Sequence, residues 1–139
     1  PHKMVQIGQR TTGYSADDFE WVRQQGVRLV NAEECWYQSL TPLMAEVRET
    51  IGTETPVYLS FDIDGIDPAF APGTGTPEPG GLTNTQAIEI IRGCWGLNLV
   101  GSDLVEVSPQ YDTTGNTALL AANLVFEMLC SFPGCLRRD

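Results

Sequence analysis

Three carboxylates fall within six positions of the stretch Ser60-Phe61-Asp62-Ile63-Asp64-Gly65-Ile66-Asp67-Pro68. The run before them, Val57-Tyr58-Leu59-Ser60-Phe61, is nearly all apolar and β-prone, which predicts a strand buried on both faces of a parallel sheet. Residues two apart in a strand point to the same side with Cα atoms about 6.5–7 Å apart, so Asp62 and Asp64 can converge on one site, with Asp67 just beyond. Carboxylates gathered in this way repel unless a cation neutralises them or a proton is shared. The C-terminal edge of an open α/β sheet is also where ligands commonly bind. A divalent metal accounts for both facts. Oxygen ligands suit magnesium, calcium or manganese, and a pair of ions about 3.5–4 Å apart is the arrangement that acidifies a shared water. Turn chemistry is the competing account, because aspartate before glycine often caps a turn or a following helix. A calcium loop of the EF-hand kind fits poorly, since Gly65 comes too early and a strand precedes it.

Two enzyme families place such a stretch after an apolar strand. Aspartate-nucleophile phosphatases of the haloacid dehalogenase type open similarly. They continue with threonine or valine where this chain has Ile66-Asp67-Pro68, and they need a downstream lysine, whereas Lys3 is the only lysine here. The pattern Ser60-x-Asp62-x-Asp64, followed by Pro68, Pro72-Gly73 and Gly81, resembles instead the signature of the manganese ureohydrolases, the arginase and agmatinase family. The resemblance continues through Gly73-Thr74-Gly75-Thr76-Pro77-Glu78, Leu104-Val105-Glu106-Val107-Ser108-Pro109 and Asn116-Thr117-Ala118-Leu119. It covers nearly the whole chain and is strongest towards the agmatinase and guanidinobutyrase branches.

That resemblance implies that residues 1–139 form the C-terminal part of a single ureohydrolase domain, a three-layer α/β/α fold with a mostly parallel sheet. It implies two Mn2+ per active site in the complete enzyme, with Asp62 bridging both ions and Asp64 completing the shell of one. Glu106 stands where the family has the carboxylate that pairs with the substrate guanidinium, a planar group that a carboxylate can grip through two charge-assisted bonds. Without the resemblance, Glu106 would read as a solvent-exposed acid at a strand end. Thr76 is a further candidate for a polar substrate contact, against a scaffold role in the turn.

The implied substrate is a small cationic guanidino compound, agmatine first, hydrolysed to urea and putrescine. A guanidino acid such as 4-guanidinobutanoate is the alternative, and Gly13-Tyr14-Ser15-Ala16-Asp17-Asp18-Phe19 resembles some enzymes of that kind. A non-catalytic homologue serving as a binding or assembly subunit is the third reading. The family's Gly-Gly-Asp-His and Asp-Ala-His-x-Asp segments, which carry the other ligands, are not in the chain, so this polypeptide alone is expected to be inactive. His2, the only histidine, lies at the chain end with no partner motif and is not read as a ligand. The complete protein is expected to form a homo-oligomer and to be intracellular, mitochondrial in an animal and cytoplasmic in a bacterium.

The elements that must position these residues alternate strand and helix, which argues for an α/β sheet with parallel strands. Met4-Val5-Gln6-Ile7-Gly8 reads as a buried strand, and residues 27–30 as another. Ser15 precedes Ala16-Asp17-Asp18 as an N-cap, with the helix running to Gly26. Leu40, Leu43, Met44 and Val47 recur at helical spacing after a Thr41-Pro42 start. Thr83 caps a helix through Ala87, Ile88, Ile90 and Ile91 to Cys94. A strand within 97–107 and an apolar helix over 116–130 complete the order. The Gly- and Pro-rich segment 65–81 reads as a functional loop rather than a linker.

Composition sets the outer bounds. A formal charge of −10 disfavours nucleic acid and favours cationic ligands. No run reaches the roughly 18 apolar residues of a membrane span. Cys35, Cys94, Cys130 and Cys135 make no C-x-x-C pair, and free buried thiols are expected.

Overall fold

The computed structural model describes residues 3–10 and 17–135. Its elements are β1 (Val5–Gln9), α1 (Asp17–Gln24), β2 (Arg28–Asn31), α2 (Ala32–Cys35), α3 (Thr41–Ile51), β3 (Pro56–Asp62), a 3-10 turn (Ile63–Gly65), α4 (Asn84–Gly93), β4 (Asn98–Val105), a second 3-10 turn (Pro109–Tyr111) and α5 (Asn116–Ser131). The expected loop at Thr11, Thr12 and Gly13, the Ser15 cap and His2 lie outside the described residues, as does most of the Gly13-to-Phe19 motif. Both strand pairs are parallel, β1 with β2 and β3 with β4.

One face of the β3–β4 pair carries the packing. Phe61 lies opposite Leu104 in the register. Both sit in a cluster with Ala87 and Ile91 of α4 and Ala121, Leu124 and Met128 of α5. Ile91, Leu124 and Met128 are almost fully enclosed, each contributing about 1.5–3 kcal/mol by removal from water. A second cluster joins Val30, Met44, Val47, Leu82, Ile90 and Leu99. There α3 lies close against α4: a Cβ on Gly93 would come 2.4 Å from Met44 Cγ, so the glycine is what permits the approach.

The expectation that β3 is buried on both faces is corrected. Pro56, Tyr58, Ser60 and Asp62 are exposed while Phe61 is buried, an alternation of period two. The physical reason is that α4 and α5 pack on one side only, and no described element covers the other.

Local capping follows the residue types. Thr83 Oγ1 accepts the Gln86 N–H at 3.2 Å, and Gln86 Oε1 accepts the Thr83 N–H at 3.0 Å, a reciprocal box at the start of α4. At α5 the cap position is Gly115 in the left-handed region, φ 74°, and the free amides are taken by Asp112, whose carboxylate accepts from Thr117 N at 3.1 Å and Ala118 N at 2.8 Å. All four cysteines are free, as expected. Only Cys35 and Cys94 are buried, so the expectation of four buried thiols is corrected for Cys130 and for the exposed Cys135 in the turn after α5. Burial pushes the Cys94 thiol up to about 11. Among the described residues no helix is long and apolar enough to cross a membrane.

Candidate metal and substrate site

β3 delivers Asp62 to its C-terminal end, where the backbone stops being extended. The next residues form a 3-10 turn, so Asp64 reaches the site from a turn and not from a continued strand. Asp62 Oδ1 accepts the Asp64 N–H at 2.9 Å and closes that turn. The turn-capping account is therefore true of one oxygen of Asp62. Partial enclosure holds the Asp62 carboxyl above its usual range. The Asp64 N–H works against that shift, repulsion from Asp64 and Glu106 adds to it, and the Arg10 charge opposes it. Asp64 Oδ2 accepts a hydrogen bond from the Thr76 hydroxyl, and Asp64 Oδ1 is buried without a hydrogen-bond partner. An ionised oxygen out of water and unpaired is costly, and a cation is the partner that suits it.

Asp67 does not belong to this group, and the expectation of three mutually repelling carboxylates is corrected to two. Its Oδ1 accepts Ala69 N–H at 2.9 Å, while Oδ2 accepts Gly80 N–H at 2.7 Å and Gly81 N–H at 3.3 Å. Those amides, Ala69 first, hold its carboxyl below the usual range. Asp67 therefore ties the start of the Gly- and Pro-rich loop to its end. Gly81 must be glycine there, because a Cβ would lie 2.5 Å from the Asp67 backbone nitrogen. Replacement of Asp67 by alanine in the full-length protein is expected to cost about 1–3 kcal/mol of stability at neutral pH. A group with a depressed folded value contributes fully above its unfolded value, about 3.9, and loses that contribution as pH falls through the folded value. Denaturant melts at pH 7 and pH 3 check this: the gap between parent and variant should be wide at the first and narrow at the second.

β4 supplies the opposite wall. Asp62 pairs with Val105 in the register, so Glu106 follows directly at the neighbouring strand end. Glu106 has φ 68°, one of two described non-glycine residues in the left-handed region. The loop holds the chain immediately after it: Thr74 bridges antiparallel to Val107, and Ser108 N–H donates to Gly73 O at 2.8 Å. Gly73 itself is wedged against Asp112 and Thr117, and a Cβ on it would lie 2.5 Å from Asp112 Cβ. Asp62, Asp64 and Glu106 are thus brought together, and the Thr76 hydroxyl lies on Asp64.

Arg10, just after β1, is a site residue that the sequence reading missed. Its Nε and Nη2 donate to Glu78 O at 2.9 and 2.7 Å, and Nη2 also donates to Asp64 O at 2.5 Å. One guanidinium thereby pins the turn and the loop together. The available signal was an arginine immediately after an apolar strand in an acidic chain.

A sequence profile of the arginase family matches residues 1–130. The chain belongs to the arginase family. Among individual relatives it is 71% identical over 136 residues to a guanidinobutyrase of Pseudomonas aeruginosa, covering 98% of this chain and 42% of that protein. It is 64% identical over 132 residues to a mitochondrial agmatinase of Gallus gallus, covering 95% and 38%. Among solved structures it superposes on proclavaminate amidino hydrolase from Streptomyces clavuligerus with a TM-score of 0.86 at 43% identity, over 93% of this chain and 42% of that one. The chain therefore has the arginase-type α/β fold and spans about two fifths of the length of these relatives.

Within an arginase-family site, Asp62 and Asp64 would fit as two carboxylate arms of a divalent-cation centre, since Asp64 Oδ1 is buried without a hydrogen-bond partner beside the Asp62 carboxylate. They are not a complete shell. Among the described residues no group of three or more His, Cys, Asp and Glu side chains could hold a metal ion.

Proposed function

We propose that the full-length protein hydrolyses a guanidino compound to urea and an amine, with agmatine to putrescine as the first candidate. Asp62 and Asp64 would hold part of a pair of Mn2+ ions, which when bound would supply Lewis acidity and a water reactive near neutral pH. Glu106 would pair with the planar guanidinium and fix the orientation of its carbon beside Asp62. Thr76 orients Asp64 and stands at the edge of the substrate space. The observation that carries this reading is that the ends of β3 and β4 bring Asp62 and Glu106 side by side, with the left-handed backbone of Glu106 held by the loop.

A guanidino acid is the second reading, favoured by the 71% identity to a protein named guanidinobutyrase. In either case the partner is a small molecule with a cationic guanidinium, dicationic for agmatine and zwitterionic for a guanidino acid, and the complete protein acts as a homo-oligomer. In an animal it is mitochondrial, like the mitochondrial agmatinase of Gallus gallus; in a bacterium it is cytoplasmic.

The deciding experiment is urea release by the manganese-loaded full-length protein from agmatine, 4-guanidinobutanoate and arginine side by side. Urea from agmatine or 4-guanidinobutanoate, with little from arginine, is the expected result. Absence of urea from all three, with the metal bound, would leave the non-catalytic homologue as the correct account.

A further inference from the structure

The open face of the β3–β4 pair carries a half-buried carboxylate, Asp103, separate from Asp62, Asp64 and Glu106. Asp103 lies opposite Ser60, one strand repeat before the Val105–Asp62 pair, and its side chain shares the face of Ser60 and Asp62. Tyr58 lies across Gly101, so closely that a Cβ there would come 2.8 Å from the ring, and its hydroxyl donates to Asp103 Oδ2 at 2.9 Å. Asp103 Oδ1 is buried and has no hydrogen-bond partner. One oxygen is thus anchored while the other is withdrawn from water with nothing to accept, a state that native proteins rarely leave uncompensated.

The placement suggests which donor belongs there. Metal-bound imidazoles donate their second ring N–H to a carboxylate or a carbonyl, which fixes the ring and its tautomer. Summing a metal–nitrogen bond, the ring width and a hydrogen bond places that acceptor roughly 7 Å from the ion. One strand repeat back from Asp62 and one strand across, about 6.5–7 Å along the strand and 4.8 Å between strands, puts the two Cα atoms roughly 8 Å apart, near enough for the two carboxylates to flank one imidazole ligand.

We infer that Asp103 is a positioning residue of the metal centre, whose Tyr58-anchored carboxylate accepts the ring N–H of an imidazole ligand approaching over this open face. This rests on the proposed metal-dependent function and adds the element that orients one of its nitrogen ligands. Asp103 acts through that imidazole and does not touch substrate. Tyr58 is the brace that selects which oxygen of Asp103 faces the ligand.

The test is the manganese dissociation constant of the full-length protein, measured by equilibrium dialysis with metal analysis for the parent and for Asp103→Asn and Tyr58→Phe. Asp103→Asn is expected to weaken binding about 10–100-fold, with the melting temperature of the metal-free protein unchanged and that of the metal-loaded protein lowered. Tyr58→Phe should weaken it in the same direction but less. An unchanged dissociation constant in Asp103→Asn, or an equal loss of melting temperature with and without metal, overturns the inference. A parent that binds no manganese would sink the functional proposal as well, a different result from a parent that binds metal and a variant that binds it equally.

Discussion

Replacing Asp62 by asparagine in the full-length protein is expected to lower kcat by at least about a thousandfold, since several kcal/mol of metal-derived stabilisation are removed and each 1.36 kcal/mol is tenfold. The substitution isolates charge from shape. Asparagine keeps a carbonyl oxygen that can accept the Asp64 N–H and hold the 3-10 turn. It replaces the other oxygen with an amide NH2, which cannot ligate a cation. The effect on folding runs the other way. The Asp62 carboxyl sits above its usual range, first through partial enclosure and also through repulsion from Asp64 and Glu106, so its ionised form opposes folding of the metal-free protein at neutral pH. The metal-free variant should therefore melt no lower than the metal-free parent. Manganese analysis after dialysis, urea assay and a melt of the stripped protein measure the three quantities. Near-normal kcat would remove Asp62 from the metal centre, whatever the melt showed.

The stability result matters because the sequence already carried the contradiction that a metal resolves. Asp62 and Asp64 could be placed at a strand end from the run Val57 to Phe61 alone, and the structure puts Asp62 on the last residue of β3 but Asp64 in the 3-10 turn that follows. What the pattern could not separate was the role of Asp67, identical in type and five residues further on. Its three partners, Ala69, Gly80 and Gly81, include two that are distant in sequence, and a single chain read in order does not announce such closures. Arg10 is harder still, because its two carbonyl partners lie 54 and 68 residues away.

Elements set by local rules were legible: the Thr83–Gln86 box opens α4, and Thr41-Pro42 opens α3. The short α2 was missed although Asn31 and Glu34 form a reciprocal box, since four residues are too few to show a helical period. The cap of α5 was also missed. The amides there are satisfied by Asp112, several residues upstream of the glycine that turns the chain. Burial of β3 was overestimated because an apolar run reports β preference, while which of its faces is covered depends on elements far away in sequence.

Glu106 offers the second large effect, and its backbone makes the test sharper than a single substitution. A glutamate held at φ 68° costs about 1–3 kcal/mol, which its neighbours sustain through the Thr74–Val107 bridge and the Gly73–Ser108 hydrogen bond. Strain persisting beside Asp62, at the mouth of the site, is what a carboxylate aimed at a ligand requires and what a chance strand-end acid does not. Glu106→Gln keeps the size and loses the charge, and kcat/KM is expected to fall roughly 30- to 5,000-fold, from about 2–5 kcal/mol for removing one partner of a charged pair that substrate binding desolvates. Glu106→Gly should lose at least as much activity while the protein becomes no less stable, because glycine adopts the left-handed backbone freely. Since agmatine and 4-guanidinobutanoate share the guanidinium and its polymethylene stem and differ in charge only at the far end, the fold-loss in Glu106→Gln should be equal for the two. A loss confined to one of them would move Glu106 to the far end of the substrate, and activity within a few-fold of the parent on both would return it to the status of a solvated surface acid.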